Sequence, residues 1–322
     1  MNSPPNGSGP DRGILGAIGR KHAIVIALLS VAVVLASSSS HFLTWLNLLN
    51  TVESGAIYGI VAIGLTVLMI GGEFDLCAGA TFVLSGVVAA KLQPSIGSWP
   101  ALAIGLLAGT AVGIVNGLFV SAFSVSSFVT TLASSMIIVG VGTLVTGGFQ
   151  LYVPDAHFAL IGNARLLGVD GFVWVFLGFA ALAGFVLSQT RLGRWIYATG
   201  NDPEAARMCG VDVSAVRRMA FAFSGFAAGC AGVLLVSRTG TAISGSGLID
   251  VLFPAVAAVV VGGTSIQGGR GAVWRTLCGI LFLELIRNGF NLLEVDPYYQ
   301  SISQGLIILL AIVADPASRR AG

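Results

Sequence analysis

The amino-acid sequence predicts an all-α, polytopic membrane protein: a transmembrane helical bundle of about ten spans, some of them discontinuous. Three observations support this fold class. Hydrophobic residues make up 55% of the 322 residues and charged residues only 9%, whereas a soluble globular chain carries roughly a quarter charged residues. The mean hydropathy is +0.92. Glycine occurs 44 times, as expected where helices pack closely in lipid.

Ten apolar stretches account for the predicted spans, because about 20 helical residues cross the hydrocarbon core of a bilayer. The preceding residues 1–21 are polar and rich in Gly, Pro and Ser, so they are expected to be a disordered cytoplasmic segment. Residues 22–316 form the predicted membrane domain, and residues 317–322 form a cytoplasmic tail. The spans are placed near residues 22–40, 48–70, 76–92, 98–120, 126–147, 171–188, 216–236, 250–263, 272–290 and 300–314.

The basic residues predict the orientation, because the cytoplasmic loops of membrane proteins are enriched in Lys and Arg. An even number of spans puts both termini on one side. If that side is the cytoplasm, twelve of the 16 basic residues lie inside and four lie outside. The inside set is Arg12, Arg20, Lys21, Arg191, Arg194, Arg207, Arg217, Arg218, Arg270, Arg275, Arg319 and Arg320. The outside set is Lys91, Arg165, Arg238 and Arg287.

Two of the spans carry glycine at every fourth residue, which lines one face of a helix. Such a face lets two helix backbones approach closely. It therefore predicts packing, within the subunit or at a dimer contact, rather than a binding site. The glycines are Gly105, Gly109, Gly113 and Gly117 in the fourth span and Gly225 and Gly229 in the seventh.

Two other spans are interrupted at glycine pairs. The second span ends at Gly71-Gly72, and the short eighth span ends at Gly262-Gly263. Such interruptions often mark a substrate path, because unwound backbone is tolerated in a membrane only against protein or water. The alternative is two ordinary tight cytosolic turns. The path interpretation selects Gly72, Glu73, Asp75, Gly263, Thr264 and Ser265.

The residue types that enzymes use are few. The sequence has three widely spaced histidines, contains no HExxH, GxSxG or CxxC string, and places neither of its two lysines after a glycine-rich turn. Its four cysteines show no metal-ligand spacing. No catalytic residue, metal site, cofactor or nucleic-acid partner is therefore expected. If ATP drives this protein, the ATPase is another chain.

A proton-coupled carrier would need ionisable residues deep in the membrane, and the sequence offers Glu53, Asp75, Glu284 and Arg287. Glu284 and Arg287 share one helix face and can neutralise each other. Asp75 adjoins a helix break, where an N-cap is as reasonable a role as substrate contact. These residues favour no defined proton relay, although a secondary carrier or channel remains an alternative.

The longest inside loop, residues 189–216, contains a short helix with signals at both ends. Asp202 suits the N-cap, Pro203 suits the first helical position, and Gly210 suits the C-terminal stop. The signals predict a helix of about two turns, from Pro203 to Cys209, and so short a helix is unstable alone in water. The segment therefore indicates either a docking helix for a partner protein or a surface turn that lies on its own membrane domain.

Seven ordered strings between roughly residues 45 and 315 resemble motifs of a known family. The loop string GRWIYATGNDPEAARMCGV has three residues between Glu204-Ala205-Ala206 and Gly210. The other strings are GGEFDLCAGA (Gly71–Ala80), VNGLFV (Val115–Val120), SFVTTLA (Ser127–Ala133), GGTSIQGGRGAV (Gly262–Val273), NGFNLL (Asn288–Leu293) and YYQSISQGLIILLA (Tyr298–Ala311). Together they resemble the ribose/xylose/arabinose-type permeases of bacterial ATP-binding-cassette importers. Cys77, Glu73 and Arg275 depart from the family pattern, and the first two leave open which sugar is handled.

The resemblance implies a permease subunit in the bacterial inner membrane that translocates a monosaccharide or related polyol by alternating access and has no catalytic activity of its own. The implied partners are a cytoplasmic ATP-binding subunit, a periplasmic sugar-binding protein, a second permease subunit in a homodimer, and membrane lipid. Asn116 and Asn288, which belong to two of the strings, join the expected path residues. The residues expected to couple to the ATPase are Gly200, Asn201, Asp202, Pro203, Glu204, Ala205, Ala206, Arg207 and Gly210.

Overall fold

The computed structural model describes residues 11–245 and 247–314, and this part of the chain is almost entirely helical. The helices are α1 (Asp11–Ser38), α2 (Trp45–Ile70), α3 (Ala78–Ile96), α4 (Ser98–Phe123), α5 (Ser127–Thr146), α6 (Ala156–Asn163), α7 (Gly171–Gln189), α8 (Arg191–Asn201), α9 (Pro203–Met208), α10 (Val213–Thr239), α11 (Phe253–Val261), α12 (Val273–Leu292) and α13 (Pro297–Ala314). A π-helical turn, Leu248–Leu252, precedes α11. The two-residue strands are β1 (Leu151–Tyr152), β2 (Arg165–Leu166), β3 (Val169–Asp170) and β4 (Thr241–Ala242).

The structure confirms the predicted polytopic helical bundle. Each of the ten predicted spans coincides with a helix, namely α1 to α5, α7 and α10 to α13. Five of these, α2, α4, α5, α7 and α10, are long and apolar enough to cross a membrane. The helix α1 begins at Asp11, so it includes the second half of the segment that the sequence predicts to be disordered. The predicted tail, residues 317–322, lies outside the described residues.

The helix α2 occupies the centre of the bundle. It packs against α7, α10, α11 and α12, and 94% of its apolar stretch is buried. Ile60, Ile63, Leu65 and Leu68 are fully buried. A helix that is hydrophobic on every side is buried on every side, and its apolar composition therefore places α2 in the core.

The glycine faces of α4 and α10 pack against each other inside the subunit. A methyl group added to Gly109 would lie 2.6 Å from the Cα of Gly229, and one added to Gly113 would lie 3.0 Å from the Cα of Gly225. Of the two alternatives that the sequence leaves open for these glycines, the structure shows packing within the subunit. The two helix backbones touch because neither presents a side chain at the crossing.

The end of the bundle opposite α9 carries small elements that the sequence analysis missed. Strand β1 pairs with β4, and β2 pairs with β3. Asp155 caps α6, because its Oδ1 accepts hydrogen bonds from the backbone N–H groups of His157 (2.7 Å) and Phe158 (3.3 Å). Desolvation raises the pKa of Asp155, but these N–H groups outweigh it and hold the pKa below its ordinary value.

The helix α5 lies at the periphery, since only 17% of its apolar stretch is buried. Its buried face carries the hydroxyl groups of Ser127, Thr131 and Ser135. Its outer face carries large apolar side chains such as Met136 and Leu144. The helix therefore turns its polar side toward the bundle and its apolar side away from it.

Candidate functional site

The short helix that the sequence predicts in the long loop is present as α9. Asp202 caps it, because its Oδ1 accepts from the N–H groups of Glu204 and Ala205, both at 3.0 Å. The helix ends one residue earlier than predicted, with Cys209 as its C-cap. Gly210 follows with φ +80°, a conformation in the left-handed region that glycine adopts at little cost.

One face of α9 is open to solvent. Met208 is 90% exposed, and the exposed side chains of Glu204 and Arg207 form an ion pair with each other. Ala206 is the buried residue of the helix. Since an exposed ion pair of this kind stabilises a helix only slightly, α9 gains little from its own surface. The helix packs against the bundle through Ala206 and leaves most of its other side chains exposed to solvent.

The preceding helix α8 ties this segment to the body of the protein. Its buried residues are Gly193, Ile196 and Thr199. The hydroxyl of Tyr197 donates to the backbone oxygen of Gly271 at 2.8 Å. The sequence pattern predicts one loop over residues 189–216, and α8 was not predicted as a separate element.

The backbone at the end of α2 and the backbone of the loop after α11 both contact the end of α8. The N–H of Gly269 donates to the oxygen of Ile70 at 2.9 Å, which joins the end of α2 to the loop after α11. A methyl group at Gly200 would overlap that same oxygen and lie 2.7 Å from the Gly269 nitrogen. A methyl group at Gly268 would lie 2.7 Å from the Cα of Gly72. We call residues 70–73, 197–201 and 262–271 the junction.

The junction supports the interpretation of both interruptions as tight turns. Gly72 and Gly263 have φ values of +82° and +83°, as the turn geometry requires. Thr264 and Ser265 are buried, and the Ser265 N–H donates to the oxygen of Arg270 at 2.9 Å. These residues therefore pack against protein at the end of the bundle that carries α9.

A buried ion pair links the junction to α10. The Nε of Arg217 lies 2.6 Å from Oε1 of Glu73, and the side chains are 24% and 7% exposed, respectively. The Nε makes no hydrogen bond of good geometry, so the contact is an ion pair rather than a linear hydrogen bond. The pair fixes the turn after α2 to the helix that follows the α9 loop.

We expect Glu73→Gln to destabilise the protein by about 1–3 kcal/mol, because it leaves the Arg217 charge buried without a partner. Replacing both residues with glutamine should cost less than the sum of the two single changes. Denaturant unfolding in detergent gives the coupling energy from a double-mutant cycle. The exposed pair Glu204–Arg207 is the matched control, with an expected coupling below about 0.5 kcal/mol. Additive effects at Glu73 and Arg217 would contradict a stabilising ion pair.

Asp75 is satisfied by the protein on both oxygens. Its Oδ1 accepts from the N–H of Cys77 at 2.8 Å, and its Oδ2 accepts from the hydroxyl of Ser224 at 3.0 Å. The residue is 2% exposed. Asp75 thus orders the backbone just before α3 and connects it to α10, close to the capping role that the sequence offered as one alternative.

Hydroxyl groups of α5 satisfy the unwound backbone around Asp75. The N–H of Phe74 donates to Ser127 Oγ at 3.1 Å, and the N–H of Leu76 donates to Thr131 Oγ1 at 3.0 Å. Buried backbone groups need such partners. The inward polar face of α5 is therefore explained by the interruption that it covers.

The remaining residues assigned to the path lie in two other places. Asn116 is buried on α4, accepts from Ser134 Oγ at 2.6 Å, and borders an apolar groove of about 500 Å³ between α4 and α5. Its Nδ2 has no hydrogen-bond partner within the part of the chain that the structure describes. Asn288 pairs with Asn47 through two amide hydrogen bonds of 2.7 and 3.1 Å, which join α12 to α2 far from the junction. The structure thus separates the path residues into three locations.

The chain was compared with known proteins. It matches the family model described as branched-chain amino acid transport system / permease component over residues 47–312. The ribose import permease protein RbsC of Escherichia coli K12 is 36% identical over 297 residues, which cover 90% of this chain and 92% of the relative. RbsC of Bacillus subtilis 168 is 34% identical, with 90% and 91% covered. The L-arabinose transport system permease protein AraH of E. coli K12 is 29% identical, with 95% and 93% covered. No solved structure matches the chain significantly.

Proposed function

The chain belongs to the family of branched-chain amino acid transport system permease components, and from this premise we propose that it translocates a monosaccharide or related polyol by alternating access. It is a multi-pass permease of an ATP-binding-cassette importer in the inner membrane. The similar proteins are named for the import of ribose and of L-arabinose, which supports a monosaccharide as the solute. The proposed unit of transport is the membrane domain, residues 22–316.

The observation that best supports this proposal is α9. A six-residue helix with a cap at each end, an exposed face and one buried residue gains little stability from its own contacts. We assign it to docking in a groove of a separate cytoplasmic ATPase subunit. Asp202 and Pro203 begin the helix, Glu204 and Arg207 face the partner, and Gly210 ends it. The neighbouring Gly200 and Asn201 connect it to the junction.

The junction explains how a movement of α9 reaches the membrane helices. Gly200 contacts the backbone at the end of α2 and in the loop before α12. Arg217, at the start of α10, holds the turn after α2 through Glu73. A displacement of α8 and α9 by ATP binding would therefore be transmitted through these contacts to α2, α10 and α12.

The proposed assembly contains two copies of this chain and a periplasmic sugar-binding protein that delivers the solute at the end opposite α9. Asp75 and Asn116 both lie beside α5 and remain candidates for residues along the path. The burial of Thr264 and Ser265 favours a structural role for them. A secondary carrier or channel is the competing function.

We expect solute uptake to require ATP on the cytoplasmic side. The permease, isolated from its own cells through a tag, should retain an ATPase subunit. Proteoliposomes that contain this complex and the binding protein should accumulate a labelled sugar from a panel that includes D-ribose, L-arabinose and simple polyols. A non-hydrolysable ATP analogue should stop accumulation. Uptake that continues without ATP would instead establish a secondary carrier or channel.

A further inference from the structure

A second polar region lies away from the junction, in a cavity between α2, α11, α12 and α13. The cavity has a volume of about 220 Å³ and is lined by Tyr58, Asp250, Glu284, Arg287 and Gln304, among others. This volume is far above the roughly 10–15 Å³ that one water molecule needs. It is below the roughly 300–1,000 Å³ of pockets for drug-sized ligands. The cavity therefore suits one small solute.

The cavity lies about midway along the membrane helices. Tyr58 is about 18 Å from the end of α2 at Ile70, and Glu284 is about 17 Å from the start of α12 at Val273, at roughly 1.5 Å of helix per residue. Both of those helix ends lie beside the junction. Taking the junction as the cytoplasmic boundary of the hydrocarbon core, which is about 30 Å thick, puts Tyr58 and Glu284 near the middle of the core, where transport proteins commonly bind their substrates.

The polar groups of the cavity are only loosely paired with each other. The Nη1 of Arg287 is 3.7 Å from Oε1 of Glu284, longer than a good charge-assisted hydrogen bond. The hydroxyl of Tyr58 donates to the backbone oxygen of Ile280 at 3.4 Å, and Glu284 is 4% exposed. A carboxylate buried in a membrane helix is costly to the fold and marks a functional site by default. The side chain of Arg287 is 51% exposed and Asp250 is exposed, so the cavity is open to the surface.

The backbone beside the cavity is irregular at the position that supplies its second carboxylate. Asp250 lies in the π-helical turn that precedes α11, and such turns occur frequently at functional sites. Phe253, at the start of α11, adds an aromatic surface to the wall. From α13, Gln304 and Gly305 line the cavity, and both belong to a sequence string for which the proposed function provides no role.

The combination of groups selects the chemistry of the occupant. Carboxylates accept hydrogen bonds, the guanidinium donates them, and the amide and the phenol hydroxyl do both. A simple cation would meet Arg287, and a simple anion would meet the carboxylates of Asp250 and Glu284. A neutral solute with several hydroxyl groups satisfies donors and acceptors together.

We propose that this cavity binds one neutral polyhydroxylated solute, a monosaccharide or polyol, midway across the membrane. The inference rests on the proposed function for the class of solute, and it adds a selective site within the permease itself. The binding protein would then not be the sole determinant of specificity. Sugars that differ in the placement of their hydroxyl groups would be distinguished by the hydrogen bonds that they form with Asp250, Glu284, Arg287 and Gln304.

Gly305→Leu tests the proposal by filling the cavity. A Cβ at Gly305 would meet no atom within 4 Å, and leucine is a better helix former than glycine, so the helix tolerates the change. The matched control is Gly178→Leu on α7, where a Cβ is equally unobstructed and which lies outside this cavity. Gln304→Ala is the second variant, because it removes hydrogen bonds without adding volume.

The measurement is equilibrium binding of tritiated D-ribose, L-arabinose and a polyol panel to the permease–ATPase complex in nanodiscs, without the binding protein. We expect Gly305→Leu and Gln304→Ala to weaken binding and uptake at least about tenfold, the equivalent of about 1.4 kcal/mol. ATP hydrolysis by the complex should stay within about twofold of wild type. Gly178→Leu should match the wild type in every assay.

Three results would overturn the inference: no probe binding to the wild type, unchanged solute binding by both cavity variants, or native mass spectrometry in which Gly305→Leu releases a phospholipid and leaves solute binding intact. Failure of the proposed function looks different. In that case the wild type binds solute and the cavity variants do not, yet uptake shows no dependence on ATP.

Discussion

The double substitution Glu204→Lys, Gly210→Leu is expected to abolish ATP-driven uptake while the protein remains in the membrane. Lysine at position 204 replaces the ion pair with Arg207 by a repulsion, and it places a positive charge at the positive end of the helix. Leucine at position 210 must adopt φ +80°, a conformation that costs a non-glycine residue of order 1–3 kcal/mol. A six-residue helix has no reserve of stability against either change.

The control for this double variant makes the same two chemical changes at the opposite end of the bundle. Glu294→Lys reverses an exposed charge, and Gly147→Leu alters a helix-ending glycine with φ +64°. Uptake in proteoliposomes and recovery of the ATPase with the tagged permease are the two measurements. The control should retain both and the α9 variant should lose both. Normal transport by the α9 variant would remove α9 from the coupling mechanism.

The helix α9 was predictable because its determinants are local. The cap at Asp202, the proline after it and the glycine at the end all lie within nine residues, and the observed helix ends one residue from the predicted end. The helices of the bundle were predictable for the same reason, since each of the ten predicted spans is an apolar stretch that coincides with a helix, and five of these helices are long and apolar enough to cross a membrane. The ordered motifs identified the family, and the match over residues 47–312 confirms it.

Contacts between distant parts of the chain were not predictable from local pattern. Glu73 and Arg217 form an ion pair, and Asn47 and Asn288 exchange amide hydrogen bonds, although each pair is separated by more than a hundred residues of sequence. The signals that predict helices say which face is apolar, not which helix that face meets. The polar cavity at Asp250 was missed for the same reason, because its wall combines four separate helices.

The two interruptions show how packing decides between local alternatives. Both were consistent with an unwound substrate path or with a tight turn, because glycine pairs permit either. In the structure the backbone at Ile70, just before Gly71-Gly72, and the backbone at Gly269, in the loop that follows Gly262-Gly263, both pack on Gly200. A side chain at position 200 therefore has no room, and the three positions form a single contact between α2, α8 and the loop before α12.

Gly200→Ala is therefore expected to reduce uptake by about 10- to 100-fold, although it adds only one methyl group. That methyl would overlap the Ile70 oxygen and lie 2.7 Å from the nitrogen of Gly269. Both atoms belong to the backbone and cannot rotate away, so α8 must move from the junction. Overpacking of this kind also lowers stability, typically by about 1–3 kcal/mol. Gly184→Ala is the control, because a Cβ at that helical glycine meets no atom within 4 Å.

Substitutions in the junction and in α9 are expected to impair transport in different ways. The difference distinguishes transmission of the conformational change to the membrane helices from docking of the ATPase. Gly200→Ala leaves the sequence of α9, its cap residues and its exposed side chains unchanged, so the permease should still bind the ATPase and hydrolysis should continue. The movement driven by ATP would no longer be transmitted to α2 and α12, and ATP hydrolysis should become uncoupled from solute uptake. The α9 variant should lose the ATPase itself. If Gly200→Ala instead transported like Gly184→Ala, the close packing at Gly200 would be a feature of folding alone, and the movement of α9 would have to reach the membrane helices through Arg217 and α10.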